Sequence, residues 1–293
     1  MAESRRKIIT LLFIGLVATS FPAIFVRLAE ANALAISFYR NILASLFILP
    51  IVAVSFKKLS SYYNLIPKIV IASFFLAFHF YSWNASLKLT TVASSLVIVA
   101  TQPIWSALLG ALFLKEKISL RGLLSVLIAL CGVCAIAFLD IGKGSENLLG
   151  DFLALVAAVF ASAYLITGRS VRDKIPLPVW LFSLYFFSSM ILLVICLLGG
   201  VPLYGFSKTT YLMFFLMALI PSFIGHSLLN YAVRFIEAYK VQLGLLLEPI
   251  VSTFLAFLIF SEKPHIFFYP AAVVSLFGVI LGITENYGRK AKP

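Results

Sequence analysis

Apolar stretches of about 20 residues recur along the whole chain, separated by short segments rich in charged, glycine, proline and serine residues. The stretches cover residues 8–28, 33–56, 66–87, 91–114, 119–139, 151–169, 178–198, 210–233, 240–260 and 265–285. The hydrocarbon core of a bilayer is about 30 Å thick, and a helix crosses it with roughly 20 apolar residues. The pattern therefore predicts an all-α integral membrane protein with ten transmembrane helices.

The composition excludes the ordinary soluble protein classes. Hydrophobic residues make up 62% of the 293 residues and charged residues only 12%, whereas a soluble domain is roughly half apolar and about a quarter charged. The net charge of +12 is spread in small basic groups between apolar stretches, which argues against nucleic acid as a partner. The expected partners are the lipid bilayer and a small-molecule substrate, and a homo-oligomer stays open.

The basic residues predict the orientation, because lysine and arginine concentrate at the cytoplasmic ends of membrane helices. With the N-terminus placed in the cytoplasm, 17 of the 23 Lys and Arg residues fall in cytoplasmic segments and 5 in outer segments, with Arg40 inside a helix. Miscounting one helix would move the later groups to the other side and remove the bias. We therefore expect both termini to be cytoplasmic.

The second half of the chain repeats the first at a constant offset of 146 residues. The matched pairs are Asn84 and Asn230, Pro103 and Pro249, Glu116 and Glu262, and Gly132 and Gly278. Each half, residues 1–145 and 146–293, contains five predicted helices, an odd number, so the second half must enter the membrane inverted. Inverted repeats with a site near the midplane between them are a recurring design of secondary transporters. We expect two five-helix repeats around a central cavity.

Residues 102–119, which read QPIWSALLGALFLKEKIS, precede a helix between the glycines at 122 and 132. Together with residues 38–40 and 248–262, this stretch is similar to the EamA repeat of the drug/metabolite transporter superfamily. The resemblance implies a ten-helix carrier of the plasma or inner membrane, often an exporter of amino acids, other metabolites or drugs. The second copy has no counterpart of Arg40, so any role of that arginine is asymmetric.

Charged side chains inside a membrane helix are costly and usually face a cavity or a partner. Arg40 and Glu248 lie at similar depths from opposite membrane faces, about 12 Å from the helix ends at 1.5 Å per residue. They are candidates to line the substrate cavity as a switchable pair. Two alternatives stay open: a fixed structural ion pair, or an arginine that extends to the outer interface.

Two dipeptides, Gln102-Pro103 and Glu248-Pro249, place a proline within a predicted helix of each half. Proline removes a backbone donor and kinks a helix, and the freed carbonyl groups could line a polar site. The alternative is a bend needed only for packing. Glu248 is also a candidate for proton coupling, since a buried carboxyl group can bind and release a proton.

Two histidines add hydrogen-bonding groups that suit proton relay or substrate binding. His79 shares a helix stripe with Trp83, and His226 shares one with Asn230. An interhelical hydrogen bond is the competing interpretation for the histidines. Trp180 is expected to be an anchor at the membrane interface. The predicted cavity residues are thus Glu248, Arg40, Gln102, His79, His226, Trp83 and Asn230.

The predicted function is a secondary active transporter that moves small organic metabolites by alternating access, with no cofactor, no metal and no enzymatic activity. No phosphate-binding loop is present in the sequence, so a gradient should supply the energy. The alternative is an intramembrane enzyme acting on lipid or peptide substrates, which would need a catalytic set that the sequence does not display. Cys131 and Cys134 have metal-motif spacing but no companion ligands, and are interpreted as small buried hydrophobic residues.

Two further features are expected to be structural. The pairs Ser106-xxx-Gly110 and Gly278-xxx-Gly282 let helices approach closely, within the bundle or in a dimer. Glu116 and Glu262 end predicted helices on opposite sides of the membrane. They are expected to be solvated helix ends, because exposed ion pairs contribute little. The alternative is that they form gate or loop ion pairs with neighbouring lysines.

Overall fold

A computed structural model describes residues 5–53, 62–90, 92–116, 119–138, 148–260 and 266–283. Glu262, the boundary between the predicted repeats and both chain termini lie outside the described residues. The α-helices are α1 Arg5–Ala18, α2 Pro22–Leu28, α3 Ala33–Ala53, α4 Ile66–Leu89, α5 Val92–Val99, α6 Gln102–Leu114, α7 Leu120–Phe138, α8 Leu148–Arg169, α9 Leu177–Leu198, α10 Lys208–Met217, α11 Ser227–Ala232, α12 Ala238–Gly244, α13 Glu248–Phe260 and α14 Phe268–Ile283. No strand occurs among these residues, which confirms the all-α class.

The helices are long and apolar enough for a multi-pass membrane protein. Within the described ranges, seven helical stretches meet the length and hydropathy of a membrane span. Three shorter apolar helices accompany them, at Gln102–Leu114, Leu120–Gly132 and Tyr269–Gly282. The first of these, α6, is short because a two-residue break separates it from α5, so that neither segment has the length of a full span.

Four of the helical stretches are interrupted, each beside a proline. The chain bends between α1 and α2 before Pro22, and it leaves the helix between α5 and α6 before Pro103. Residues Ala218–His226 form a π-helical segment that contains Pro221, and a short 3₁₀ turn precedes α13 next to Pro249. Proline lacks the amide hydrogen that continues a helix, so the interruptions occur where the sequence cannot supply that donor.

Helices α7 and α14 pack closely against each other through two glycines. A Cβ atom on Gly132 would lie 2.4 Å from the backbone nitrogen of Ser275, and one on Gly278 would lie 2.4 Å from that of Ala129. Because these neighbours are backbone atoms, no side-chain rearrangement could make room. The small residues of α14 therefore pack inside the bundle, as one of the two sequence interpretations expects.

Large apolar side chains cover the outer surface of the bundle, as expected for helices that face lipid. Cys131 and Cys134 lie on this surface as free cysteines and are exposed. The expectation that they are buried is therefore wrong.

Candidate functional site

A polar cavity lies in the middle of the bundle and is bordered by the four interrupted helices together with α3, α4 and α8. Its volume is about 470 Å³ with the opening included. The lining residues are Thr19, Pro22, Arg40, His79, Trp83, Val99, Gln102, Ala161, Tyr164, Leu165, His226, Leu229, Val241, Gln242, Leu245 and Glu248. Six of the seven predicted residues are among them, and Asn230 is not.

Arg40 is the most deeply buried charged group of this cavity. Its side chain is 0% exposed, and the guanidinium carbon lies 3.8 Å from the centre of the Phe80 ring. The Nε atom donates a hydrogen bond of 2.7 Å to the hydroxyl of Ser222, while Nη1 and Nη2 have no hydrogen-bond partner. An arginine held on a ring inside the bundle does not extend to the membrane interface, so that interpretation is wrong.

Glu248 approaches the same cavity from the start of α13. The residue is 8% exposed, and its Oε1 atom has no hydrogen-bond partner. It borders the same cavity as Arg40. The described ion pairs do not include one between these two residues. The structure therefore does not support a fixed structural ion pair.

The two histidines lie side by side in the cavity wall, with their ring centres 6.5 Å apart. The Nδ1 atom of His79 lies 3.0 Å from the carbonyl oxygen of Ala157 on α8. A carbonyl can only accept, so we assign the Nδ1 proton to this bond, which leaves Nε2 as an acceptor in the neutral ring. The Nδ1 atom of His226 lies 3.0 Å from the hydroxyl of Tyr164. Both rings thus form the interhelical bonds that the competing interpretation expects, while also lining the cavity.

Gln102 belongs to a network that joins the two halves of the chain. The Gln242 amide nitrogen donates to the Gln102 side-chain oxygen at 3.2 Å. The hydroxyl of Ser106 donates to the side-chain oxygen of Gln242, and that of Ser162 donates to the Gln102 carbonyl at 3.0 Å. This network connects α6, α8 and α12 at the cavity wall.

Tyr164 and Gln242 are among the cavity residues that sequence reasoning missed. Gln242 carries an amide inside an apolar stretch, and this signal could have identified it. Tyr164 lies in an alanine-rich helix, where tyrosine is compatible with ordinary packing. Only the position of its hydroxyl next to His226 distinguishes it.

Asn230 lies behind the cavity wall. Its side-chain oxygen accepts a hydrogen bond of 3.0 Å from the Trp180 indole nitrogen, and its amide donates to the His226 carbonyl at 2.8 Å. Trp180 is 0% exposed, so its predicted place at the membrane interface is wrong. This tryptophan and asparagine together hold the backbone that carries His226.

A cluster of polar side chains and backbone carbonyl groups connects the ends of three helices. Arg169 at the end of α8 forms an ion pair with Glu116, and its Nη1 donates to the carbonyl groups of Val233 and Ile236. The Glu116 side chain is 17% exposed, so the expectation that it is solvated is wrong. A helix end that looks exposed in the sequence is covered here by the neighbouring helices.

Replacing Arg169 by alanine is expected to lower the free energy of unfolding by about 1–3 kcal/mol, because it removes a half-buried ion pair and leaves two carbonyl groups unpartnered. The matched control is Arg234→Ala, whose ion pair with Asp173 has side chains that are 50% and 80% exposed and should contribute about 0–1 kcal/mol. Thermal unfolding of both variants in detergent measures the difference. Equal losses would contradict a fastening role for Arg169.

Among the described residues, no group of three His, Cys, Asp or Glu side chains is placed to hold a metal ion. The chemistry available in the cavity is hydrogen bonding, charge complementarity and proton binding. These functions suit recognition of a polar small molecule.

The comparisons with known proteins agree with the architecture. The model of the EamA-like transporter family matches residues 6–138 and 148–284. The chain belongs to this family. The resemblance inferred from the sequence motifs is confirmed, and the protein is a multi-pass membrane protein of a transporter family.

Individual relatives share modest sequence identity with this family member. The chain is 28% identical to the uncharacterized transporter YdfC of Bacillus subtilis (strain 168) over 272 residues, which are 92% of this chain and 87% of the relative. It is 26% identical to an uncharacterized transporter of Clostridium kluyveri over 69% of this chain and 66% of the relative. A protein crystal structure matches 95% of this chain with a TM-score of 0.80 at 15% identity, which shows a shared fold.

Proposed function

We propose that this protein is a secondary active transporter that exports small organic metabolites, amino acids or drugs by alternating access. Ten transmembrane helices form two inverted five-helix repeats, residues 1–145 and 146–293, around the central cavity. The protein resides in the plasma membrane with both termini in the cytoplasm. The match of the family to two successive segments of the chain supports the repeats, and the basic residues of the sequence support the orientation.

The observation that carries this proposal is a second, smaller cavity that adjoins the first between α5, α6, α12 and α13. Its ten lining residues form five pairs, each 146 residues apart: Leu96 and Gln242, Val99 and Leu245, Ala100 and Leu246, Gln102 and Glu248, and Pro103 and Pro249. Equivalent residues of two repeats meet around one space only where a pseudo-two-fold axis passes through it. The polar cavity lies next to this space, at the position typical of transporters with inverted repeats.

The contact between α7 and α14 supports the same axis. Gly132 packs on Ser275 and Gly278 packs on Ala129. Both pairs of equivalent residues are separated by the offset of 146 found in the sequence. Exchanging the repeats therefore converts one contact into the other, as a two-fold axis requires.

In the proposed mechanism, the interrupted helices are the segments that change conformation. Irregular backbone at membrane depth is tolerated where it lines a cavity, and each of the four interrupted stretches contributes lining residues next to its break. Rocking one repeat against the other around the cavity would open it to one side and then to the other. Glu248, with an unpartnered carboxylate oxygen on the cavity, is the proposed proton-binding group.

Flux through the purified protein tests the proposal. Proteoliposomes with an outward or an inward pH gradient should accumulate members of a radiolabelled metabolite panel against their gradients, in a direction set by the protein's orientation. Product formation without net movement would favour the intramembrane enzyme instead. Equal accumulation in protein-free liposomes would contradict transport.

The proposed topology predicts where introduced cysteines are accessible in cells. In a variant whose three native cysteines are replaced by alanine, Tyr204→Cys should react with a membrane-impermeant maleimide in intact cells, since Tyr204 is 84% exposed between α9 and α10. Asp173→Cys, between α8 and α9, should react only after permeabilisation. The reverse pattern would contradict the proposed orientation.

A further inference from the structure

Helix α6 carries a row of polar contacts that connects the first proposed repeat to the second. At its start, the Gln102 side-chain oxygen accepts a hydrogen bond of 3.2 Å from Gln242 of α12. One turn further along, Ser106 donates to the same Gln242 side chain. Just beyond the end of the helix, Glu116 forms an ion pair with Arg169 of α8. These three contacts together are called the α6 interface.

The α6 interface extends from the polar cavity to one end of the bundle. Gln102 and Gln242 line the cavity, and Glu116 lies two residues after the last residue of α6. The 13 residues of this helix cover about 20 Å along its axis. Separating α6 from α8 and α12 would therefore open a polar path from the cavity to this end of the bundle. The proposed topology places this end in the cytoplasm.

The backbone at the end of α6 fixes the position of the Glu116 carboxylate. Lys115 adopts the left-handed conformation, with φ of 55°, and the Glu116 amide donates to the Gly110 carbonyl at 3.1 Å. This reversal is a common helix end, and it returns the side chain of Glu116 to the surface of α6. Gly110 leaves room for it there, since a Cβ atom on this glycine would lie 3.0 Å from the Glu116 Oε2 atom.

Arg169 connects this carboxylate to the backbone between α11 and α12. Its Nε atom donates to Glu116, and its Nη1 atom donates to the carbonyl groups of Val233 and Ile236. The two charged side chains are 23% and 17% exposed, so water competes for these bonds only in part. Charge-assisted bonds in such a site are stronger than those of a fully exposed pair.

At the opposite end of the bundle, aromatic packing joins the two halves of the chain. Tyr39 of α3 stacks on Phe214 of α10 with ring centres 4.6 Å apart. Its hydroxyl donates to the carbonyl of Leu203, which lies beyond the far end of α9. Separating these rings would expose apolar surface to water, whereas polar contacts exchange their partners for water at a small net cost. The α6 interface is therefore the contact that a single ion pair can control.

We propose that Glu116 and Arg169 form a gate that closes the cavity towards the cytoplasm. While the ion pair is intact, α6 stays packed on α8 and α12, and the cavity is closed at this end. Breaking the pair shifts the conformational equilibrium towards a form that is open to the cytoplasm. This inference rests on the proposed transport function and names the residues that control access to its cavity from one side.

A reporter cysteine in the cavity tests the gate. In the variant whose three native cysteines are replaced by alanine, Ala161→Cys places a thiol on the cavity wall. Its rate of reaction with sulfonatoethyl methanethiosulfonate, a small membrane-impermeant reagent, is measured in inside-out membrane vesicles and in intact cells. Asp173→Cys and Tyr204→Cys, both exposed positions, identify the end of the bundle that each preparation presents.

Replacing Glu116 by glutamine should open the cavity from the gate side. The variant keeps the size of the side chain but loses its charge, so the reporter should react at least about tenfold faster from that side, as expected for one charge-assisted contact. From the opposite side the rate should stay equal or fall, because opening one end closes the other in alternating access. An unchanged rate from the gate side would overturn the proposal. A similar rise from both sides would also overturn it, since general loosening has no direction.

A second variant keeps both charges and disturbs only their contact. Gly110→Ala adds a carbon atom 3.0 Å from the Glu116 carboxylate, so the rate from the gate side should rise a few-fold; this keeps the inference testable if Glu116→Gln does not fold. The matched control is Asp173→Asn, which removes the ion pair with Arg234 within the second half of the chain. The control should leave both rates unchanged, and a rise equal to that of Glu116→Gln would contradict the gate.

Flux measurements separate failure of this inference from failure of the proposed function. If the unmodified protein moves a metabolite into proteoliposomes while the reporter rates do not depend on Glu116, transport stands and the gate falls. If the reporter rates change as expected while no metabolite of the panel moves, the gate stands as a closure of the cavity and transport falls.

Discussion

Replacing Glu248 by glutamine is expected to remove the dependence of transport on a pH gradient. Glutamine keeps the shape and the hydrogen-bonding capacity of the side chain, but it cannot bind and release a proton. In the unmodified protein, one coupled proton and a gradient of one pH unit can support up to about tenfold accumulation of a neutral cargo. In the variant this accumulation should fall to the level reached without a gradient, which flux into proteoliposomes measures directly.

The matched control for Glu248 is Glu30→Gln, which changes an exposed carboxylate between α2 and α3. This control variant should retain the full response to the gradient. Equal accumulation by the Glu248→Gln variant and the unmodified protein would remove proton coupling through this residue. It would leave the cavity and the repeats unaffected, because neither depends on the charge of one side chain.

Alanine at Gly132 or at Gly278 is expected to destabilise the bundle strongly and to similar extents. At both sites the added carbon would lie 2.4 Å from a backbone nitrogen of the facing helix, so α7 and α14 would have to separate. Overpacking of this kind costs about 1–3 kcal/mol and sometimes more. Equivalent effects are expected from the proposed pseudo-two-fold axis, because the two glycines are 146 residues apart and would occupy the same position of the two repeats.

Thermal unfolding of the two glycine variants in detergent measures the effect. The control Ala135→Val adds carbon atoms to an exposed position of α7 and should leave the unfolding temperature almost unchanged. A loss at one glycine and none at the other would contradict the proposed symmetry. Unchanged stability at both would contradict the close approach of the two helices.

The proposed repeats would supply a symmetric framework, whereas the residues that line the cavity differ between the two halves. At the offset of 146 residues, Arg40 corresponds to Phe186 and Glu248 to Gln102. His226 corresponds to Phe80, and these two rings contact each other with centres 5.2 Å apart. Each half therefore contributes a single charge to the site.

The helical stretches and two of their four interruptions, those at Pro103 and Pro249, could be predicted from the sequence because each depends on local properties. A run of apolar residues of membrane length predicts a span wherever it occurs, and proline interrupts a helix through its own missing donor. The sequence also indicated Arg40 and Glu248 as cavity candidates, because a charged side chain inside an apolar helix is costly and usually faces a cavity or a partner. The family resemblance rested on contiguous motifs, which tertiary structure does not alter.

Which polar groups share the cavity was decided by tertiary structure. Asn230 and Gln242 look alike in the sequence, since both are amides inside apolar stretches. Asn230 accepts its bond from the buried Trp180, whereas Gln242 lines the cavity. The ion pair of Arg169 with Glu116 likewise joins residues of separate helices. Side-chain partners depend on how each helix is rotated against its neighbours, and in an almost uniformly apolar helix no polar face records that rotation.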